Sequence, residues 1–144
     1  GLSLPTENID LFRAKLNRQQ TLTEKELTPV TWIDVPMPVS YASKKLVEQL
    51  RVLEPFGKGN EKPVFADRKL TVRSANMIGK NKNVLKMQLE DTQGHVVDAI
   101  QFKVEEEDMP LRGKEISIVY YPDINEFRGN QTLQFIVQEW CYTT

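Results

Sequence analysis

From about residue 64 onward, apolar and polar side chains alternate along the chain with a period of two. Such alternation predicts β-strands that turn one face toward a core and the other toward solvent. The pattern recurs in five segments, whose apolar positions are Leu70 and Val72, then Leu85, Met87 and Leu89, then Val96, Ile100 and Phe102, then Ile116, Ile118 and Tyr120, and finally Leu133, Phe135 and Val137. Turn-forming triplets at 79–81, 92–94 and 128–130 indicate three hairpins between these strands.

The connections between the strands indicate how they pack. Five antiparallel strands with a long connection between the third and the fourth are typical of the Greek-key barrel known as the OB fold. That connection runs from Val104 to Gly113, is rich in acidic and turn-forming residues, and has room for a short helix. An SH3-like barrel or an open sheet is the alternative, and the long connection favours the OB fold. The predicted fold class is therefore mainly β.

Near the N-terminus the apolar period is that of a helix. Ile9, Phe12 and Leu16 lie about one turn apart and form a single stripe. Pro5-Thr6 is a helix-start signal, with Thr6 as the predicted N-cap. A single short amphipathic helix cannot bury its own stripe, so we expect this helix to dock on another surface.

Residues 21–63 form a predicted connector. Prolines in its first half favour extended chain, and Trp32 among them is interpreted as a packing anchor. A second helix is predicted at about 41–53, because leucines recur there at helical spacing, and it ends before Pro55. The predicted architecture is thus two helices and an extended connector in front of a five-stranded barrel.

The composition is that of an ordinary globular domain, with 40% hydrophobic and 27% charged residues. No apolar run approaches the roughly 20 residues that a membrane span needs, and no signal-peptide pattern opens the chain. The single cysteine, Cys141, excludes an internal disulfide and fits a reducing compartment. We therefore expect no membrane partner.

Charge is segregated along the chain although the net charge is only −1. Residues 58–86 contain eight basic and two acidic side chains, a net charge of +6, whereas residues 87–126 contain three basic and ten acidic ones, a net charge of −7. Folding can turn this separation into one basic and one acidic face. The alternative is two solvated surfaces without a partner.

No group of residues predicts catalysis. The single histidine, His95, follows Gly94 at a predicted hairpin turn and has no companion ligands in the sequence. Cys141 lacks a neighbouring base that would activate its thiol. The acidic run 105–108 is too compact for all its carboxylates to reach one ion. We therefore predict no catalytic residue, cofactor or metal site in this chain.

Two glycines flank a lysine just after the second predicted helix, at 57–59. Such a loop can present backbone N–H groups to a phosphate, with Lys58 adding positive charge and Asn60 beside it. The same glycines also suit a tight connector that needs positive φ angles. The residues themselves leave both interpretations open.

This loop carries a family resemblance. Residues 53–65, LEPFGKGNEKPVF, resemble the LEPFGxGNPxPxF segment of the bacterial RecJ family of single-strand-specific 5′-to-3′ exonucleases. Residues 1–16 are similar to the end of the family's DHH-associated domain, and residues 125–135 are similar to a hairpin of its OB barrel. Glu61 departs from the pattern, since the family usually has proline there.

The resemblance implies a division of the chain and of its function. Residues 1–20 would be the end of the DHH-associated domain, 21–63 a connector, and 64–144 the OB domain. The parent enzyme would act in DNA recombination and repair in the bacterial cytoplasm. Its Mn or Mg centre would be held by aspartates and histidines of a DHH domain whose motifs do not occur in this chain. The expected partners are single-stranded DNA, the rest of the parent nuclease and other repair proteins.

The OB plan also predicts where DNA binds. These barrels bind strands across their second and third strands, between the first-to-second and fourth-to-fifth loops. The predicted DNA-binding residues are Lys80 and Lys82 in the first-to-second loop at 76–83, Arg73 and Lys86 beside it, Phe102 and Lys103 at the end of the third strand, Asn125, Phe127 and Arg128 in the fourth-to-fifth loop, and Lys58 and Asn60 in the glycine loop.

The leading hypothesis is therefore single-stranded DNA binding in support of an exonuclease, without a catalytic centre in this chain. The alternative is a protein-interaction or scaffolding module that holds the catalytic domains together or docks a partner through the acidic segment. Strand binding that depends steeply on salt favours the first hypothesis, and salt-insensitive association with a protein favours the second.

Overall fold

The computed structural model describes residues 1–143, which divide into two compact units, residues 1–31 and a unit that begins at Trp32. In the first unit a 3₁₀ turn, Thr6–Asn8, leads into helix α1, Ile9–Gln19, and helix α2 is Glu24–Leu27. The predicted first helix is therefore present. Its apolar side chains Ile9, Phe12 and Leu16 remain exposed.

The predicted N-cap of this first helical segment was wrong. Thr6 is already part of the 3₁₀ turn, and the extended residue in front of the turn is Pro5, whose carbonyl accepts the N–H of Asn8 at 3.0 Å. An N-cap needs a non-helical backbone, and proline has taken that position. A cap does occur at α2, where Thr23 and Glu26 form a capping box. Hydrogen bonding from the Thr23 backbone and side chain lowers the pKa of Glu26.

The second unit begins with the connector. A two-residue strand β1, Val35–Pro36, is followed by a 3₁₀ turn, Val39–Tyr41. Helix α3, Lys44–Leu50, then continues into a 3₁₀ turn, Arg51–Leu53, close to the predicted span. The prediction that Trp32 is a packing anchor was wrong, because its side chain is 85% exposed.

The rest of the second unit is the predicted barrel. Its strands are β2, Phe65–Ile78; β3, Val84–Glu90; β4, Val96–Phe102; β5, Glu115–Phe127; and β6, Asn130–Tyr142. The strand order is β1-β2-β3-β4-β6-β5, and β2 also pairs with β5, which closes the sheet. Strands β4 and β6 are parallel, and the other barrel pairs are antiparallel. Strands β2 to β6 thus follow the five-stranded OB plan, and β1 is an additional short strand.

Strand β1 forms beside the part of β2 that extends beyond its pairing with β3. Strand β3 pairs with β2 only from Thr71 onward, so the first residues of β2 have a free side. The connector fills it in parallel register, Val35 opposite Phe65 and Pro36 opposite Ala66. The N–H groups of Val35 and Met37 donate to the carbonyls of Val64 and Ala66. Backbone groups that would otherwise lack partners are thereby satisfied.

The core confirms the alternation in four of the five predicted strands. The buried residues include Leu70, Val72, Leu85, Met87, Leu89, Ile116, Ile118, Tyr120, Phe135 and Val137. The predicted face of β4 was wrong, since Val96 and Phe102 are exposed and Ala99 is fully buried. Ala99 lies opposite both Met87 and Phe135 in the register, so a small residue fits where three strands meet.

Polar contacts tie the connector to the barrel. The hydroxyl of Tyr120 donates to the carbonyl of Met37 at 2.8 Å, and the Asp67 carboxylate accepts the N–H of Val39 at 2.8 Å. Burial raises the pKa of Tyr120, and the nearby charge of Asp67 raises it further. Val39 is itself almost fully buried in the barrel core, so the connector is part of the folded unit.

The turn between β3 and β4 explains the single histidine. One oxygen of Asp91 accepts the N–H groups of Gln93 and His95 at 2.8 Å each, and the other lies 3.0 Å from the His95 ring. Burial acts to raise the pKa of Asp91, but these hydrogen bonds outweigh it and lower the pKa. His95 therefore has a role in shaping the turn.

Within residues 1–143 no helix combines the length and the apolar character that crossing a bilayer requires.

Candidate nucleic-acid interface

The side of β2, β3 and β4 that faces away from the core carries four rows of side chains across the three strands. From one end to the other, the rows are Ile78, Val84 and Phe102; Asn76, Lys86 and Ile100; Ser74, Gln88 and Asp98; and Thr71, Glu90 and Val96. We call this surface the outer face and its first row the apolar row. The apolar row is unusual for a solvent-facing surface, because Phe102 is 55% exposed and Ile78 is also exposed.

A basic loop borders the apolar row. Strand β2 continues to Ile78, so the loop is 79–83 and not 76–83 as predicted, and Asn76 pairs with Lys86 inside the sheet. Strand β2 is longer than predicted because Ile78 still pairs with Val84 of β3. Lys80 and Lys82 are both exposed in the loop.

Two further lysines lie at this end of the outer face. Lys86 is exposed in the row next to the apolar row, and Lys103 directly follows Phe102 with a φ of 59°. The next residue, Val104, donates its N–H to the carbonyl of Asn83 and so ties the end of β4 to the basic loop. The fold therefore places the predicted residues Lys80, Lys82, Lys86 and Phe102 at one end of one surface, while Lys103 follows at the end of β4 and lines a groove with Gln101.

Arg73 lies toward the opposite end, at an irregularity in the β2–β3 register. Its guanidinium is 3.0 Å from the carboxylate of Glu90, and its side chain is partly exposed. An exposed ion pair of this kind stabilises the fold little. It does, however, pair the Arg73 guanidinium, which we predicted would contact phosphate, with a carboxylate. The sequence did not indicate this pairing, because it depends on the register.

The hairpin of β5 and β6 carries the remaining predicted contacts. Arg128 and Gly129 form its two-residue turn with φ angles of 50° and 79°, as a type I′ turn requires. Asn125 is not in a loop as predicted, since it pairs with Thr132 within the hairpin. Phe127 is 64% exposed, and the Arg128 guanidinium lies 5.1 Å from its ring centre.

The β4–β6 register shows where the tip of the β5–β6 hairpin lies relative to the basic loop. Strands β4 and β6 run parallel with Ile100 opposite Ile136, so the beginning of β6 is level with the beginning of β4. The hairpin tip therefore lies toward the Val96 end of the outer face, and the basic loop lies at the Phe102 end. The two groups of predicted residues border the outer face from opposite ends.

The glycine loop has a clear structural arrangement. The side-chain amide of Asn60 donates to the carbonyls of Leu53 and Pro55 at 2.8 and 2.9 Å. Gly57 and Asn60 also exchange backbone hydrogen bonds, and Gly59 has a φ of 83°. The tight-connector interpretation thus explains Asn60, while Lys58 is exposed and available to solvent.

Replacing Asn60 with aspartate is expected to lower the free energy of unfolding by about 1–3 kcal/mol. A carboxylate cannot donate, and it would stand against the two carbonyls that the amide now satisfies. Urea denaturation measures the loss, and Lys58→Ala serves as a control that should cost no more than about 0.5 kcal/mol. Equal stabilities for N60D and the wild type would contradict the structural role of Asn60.

The residues do not fit a bound metal ion. Among the side chains of residues 1–143, no three from His, Cys, Asp and Glu are grouped as ligands.

The chain is similar in fold to a solved structure and in sequence to a family model. A solved structure of RecJ from Thermus thermophilus in complex with Mn²⁺ superposes on the whole chain with a TM-score of 0.71 at 17% identity, and it matches over 20% of its own length. The chain therefore shares the fold of the corresponding part of that protein. A family model for the RecJ OB domain matches residues 33–139.

Curated relatives agree with this match. The single-stranded-DNA-specific exonuclease RecJ of Haemophilus influenzae is 35% identical over 141 residues, and that of Bacillus subtilis is 28% identical over 142 residues. The alignments cover 95% and 96% of this chain but only 24% and 18% of those relatives. The chain belongs to the RecJ OB domain family, and it spans a quarter or less of the length of these relatives.

Proposed function

We propose that this chain is a single-stranded DNA-binding accessory region of a RecJ-like 5′-to-3′ exonuclease of DNA recombination and repair. The observation that carries the proposal is the end of the outer face, where the apolar row, with Ile78 and Phe102 exposed, is bordered by Lys80 and Lys82, and where Lys103 follows Phe102. Single strands offer apolar base faces and a charged backbone, so they need both kinds of contact. Charge alone would serve phosphates but not bases.

Each part of the interface has a separate task in this proposal. The lysines of the basic loop neutralise phosphates, which positions the strand without reading its sequence. Phe102 at one end and Phe127 at the other stack on bases. Lys86 contributes charge on the sheet, and Asn125, Arg128 and Lys58 are proposed as further contacts at its borders. Arg73 contributes only if DNA displaces its partner, Glu90.

The proposal also divides the chain and assigns its partners. Residues 1–20 are the end of the DHH-associated domain, 21–63 the connector and 64–144 the OB domain. Single-stranded DNA and the rest of the parent nuclease are the main partners, in the bacterial cytoplasm. Hydrolysis, and the Mn or Mg ion that supports it, belong to the parent's catalytic domain, so this chain positions the strand and cuts nothing.

Removing the two loop lysines should change the salt dependence of binding. For the double variant K80A/K82A we expect the slope of log affinity against log salt to fall by roughly 0.7 for each phosphate that the protein no longer neutralises. The weakening should be similar for all sequences, because phosphates carry no sequence information. Stability should change by no more than about 0.5 kcal/mol for each substitution, since both side chains are exposed.

A titration of labelled oligonucleotide at several salt concentrations provides the measurement. The variant K15A/K25A, which removes two exposed lysines from the separate helical unit, is the control for net charge. An unchanged slope for K80A/K82A would place the DNA path elsewhere, and Lys58 would be tested next. Absence of any strand binding by the wild type would refute the proposed function.

A protein-interaction module remains the second candidate, and one surface favours it. Trp32, Ile33 and Val35 are exposed apolar residues on the connector. Ile33 also lines a groove of about 490 Å³ together with Arg68 and Lys69. Association with a partner protein that is insensitive to salt and is abolished in Trp32→Ala would support this function.

A further inference from the structure

Two carboxylates interrupt the outer face in the rows between the basic loop and the hairpin tip. They belong to Asp98 and Glu90, which face the same side as Lys86 in neighbouring rows. Negative charge in the middle of a DNA-binding face repels phosphates. A strand that crosses these rows must therefore turn its backbone away from them and its bases toward them.

The two carboxylates differ in their availability. Glu90 is paired with Arg73 at 3.0 Å. Asp98 receives only a long contact of 3.5 Å, from the amide of Gln88 to its Oδ1 atom, and Gln88 in turn reaches Ser74 at 3.5 Å. Among the described residues, no hydrogen bond is made to the other oxygen of Asp98. Asp98 thus retains an acceptor that a ligand can use.

An unoccupied carboxylate oxygen distinguishes the bases by their chemistry. Cytosine, adenine and guanine present exocyclic amino groups that donate hydrogen bonds, and pairing of Asp or Glu with the N4 amino group of cytosine is an established form of base recognition. Thymine presents the carbonyl O4 where cytosine has its amino group, and a carboxylate repels that oxygen. Gln88, with both a donor and an acceptor, tolerates either base.

Taking the proposed strand-binding function as given, we propose that Asp98 makes the outer face selective for bases with an exocyclic amino group, with cytosine preferred over thymine. The lysines at 80, 82 and 103 and the Phe127–Arg128 tip lie at the two ends of the face, where phosphates are accepted. The rows of Asp98 and Glu90 read bases because the backbone is excluded there. The expected preference is for cytosine-rich over thymine-rich strands of equal length.

The test compares oligo(dC) with oligo(dT), both of about 12 nucleotides, which is within the usual range for one OB barrel. Titrations are made at slightly alkaline pH, where cytosine is not protonated. We expect the wild type to bind oligo(dC) at least about fivefold more tightly. In Asp98→Asn the preference should disappear, because an amide can also donate to the thymine carbonyl.

Asp10→Asn is the matched control, because it makes the same chemical change at an exposed position of the separate helical unit. The Asp10 carboxylate is exposed and contacts the guanidinium of Arg13 on the same helix at 3.3 Å. This variant should keep the wild-type ratio of affinities. Denaturation curves of all three proteins confirm equal folding.

The outcomes separate this inference from the proposed function. Salt-dependent binding of both oligonucleotides with equal affinity would overturn the role of Asp98 and leave the binding function intact. An equal gain for both oligonucleotides in D98N would show that Asp98 acts only as a repulsive charge, which also overturns the inference. No binding of either oligonucleotide would refute both.

Discussion

Phe135→Ala is expected to lower the free energy of unfolding by about 3–5 kcal/mol. Phe135 is only 1% exposed, and its ring centre lies 5.2 Å from that of Tyr120. It stands opposite Ala99 where β4 and β6 meet, a seam with just two paired positions. Because a domain of this size is stable by about 5–15 kcal/mol, a cavity at this seam removes much of its stability.

Chemical denaturation followed by circular dichroism measures this effect. Phe127→Ala makes the same chemical change at the exposed hairpin tip and should cost no more than about 0.5 kcal/mol. Similar losses for the two variants would mean that Phe135 does not close the barrel as the structure shows.

Phe127→Ala should instead weaken the binding of single-stranded DNA, by about 1–3 kcal/mol if the ring stacks on a base. The ring is 64% exposed, and Arg128 occupies one of its faces at 5.1 Å. A base stacked on the exposed part of the ring would complete a stack of guanidinium, ring and base. An oligonucleotide titration at fixed salt measures the change.

Two comparisons make this result specific. Phe127→Leu keeps an apolar side chain without the flat ring, so its affinity should lie between those of the wild type and Phe127→Ala. Tyr41→Ala removes another highly exposed aromatic ring, on the connector, and should leave binding unchanged. Equal weakening by Phe127→Ala and Tyr41→Ala would indicate a general loss of apolar surface rather than a stacking contact.

Strict alternation made most of the barrel predictable from the sequence. In β3 the apolar residues Leu85, Met87 and Leu89 all lie on one parity, so only one face can be buried. In β4 both parities carry apolar residues: Ala99 is on the buried side, between β3 and β6, and Phe102 is on the exposed side. Local periodicity cannot decide the buried face of such a strand, and the structure settles it through Ala99.

Other features depend on partners distant in sequence. Strand β1 forms because β2 leaves part of its length unpaired, and no local signal in Val35-Pro36 reveals that. The Arg73–Glu90 pair likewise depends on the β2–β3 register and its irregularity. The capping box formed by Thr23 and Glu26 depends on local sequence alone. A threonine followed three residues later by a glutamate is a signal that can be read directly from the sequence.

The position of Pro36 in β1 has a consequence for how this domain behaves at high concentration. The N–H groups of Val35 and Met37 point to β2, so an N–H at position 36 would point outward from the sheet, and proline has none. At position 36 the outermost strand therefore offers no donor to a strand from another molecule. Its edge is protected against intermolecular β-pairing, and thus against aggregation by that route, although apolar side chains are exposed beside it.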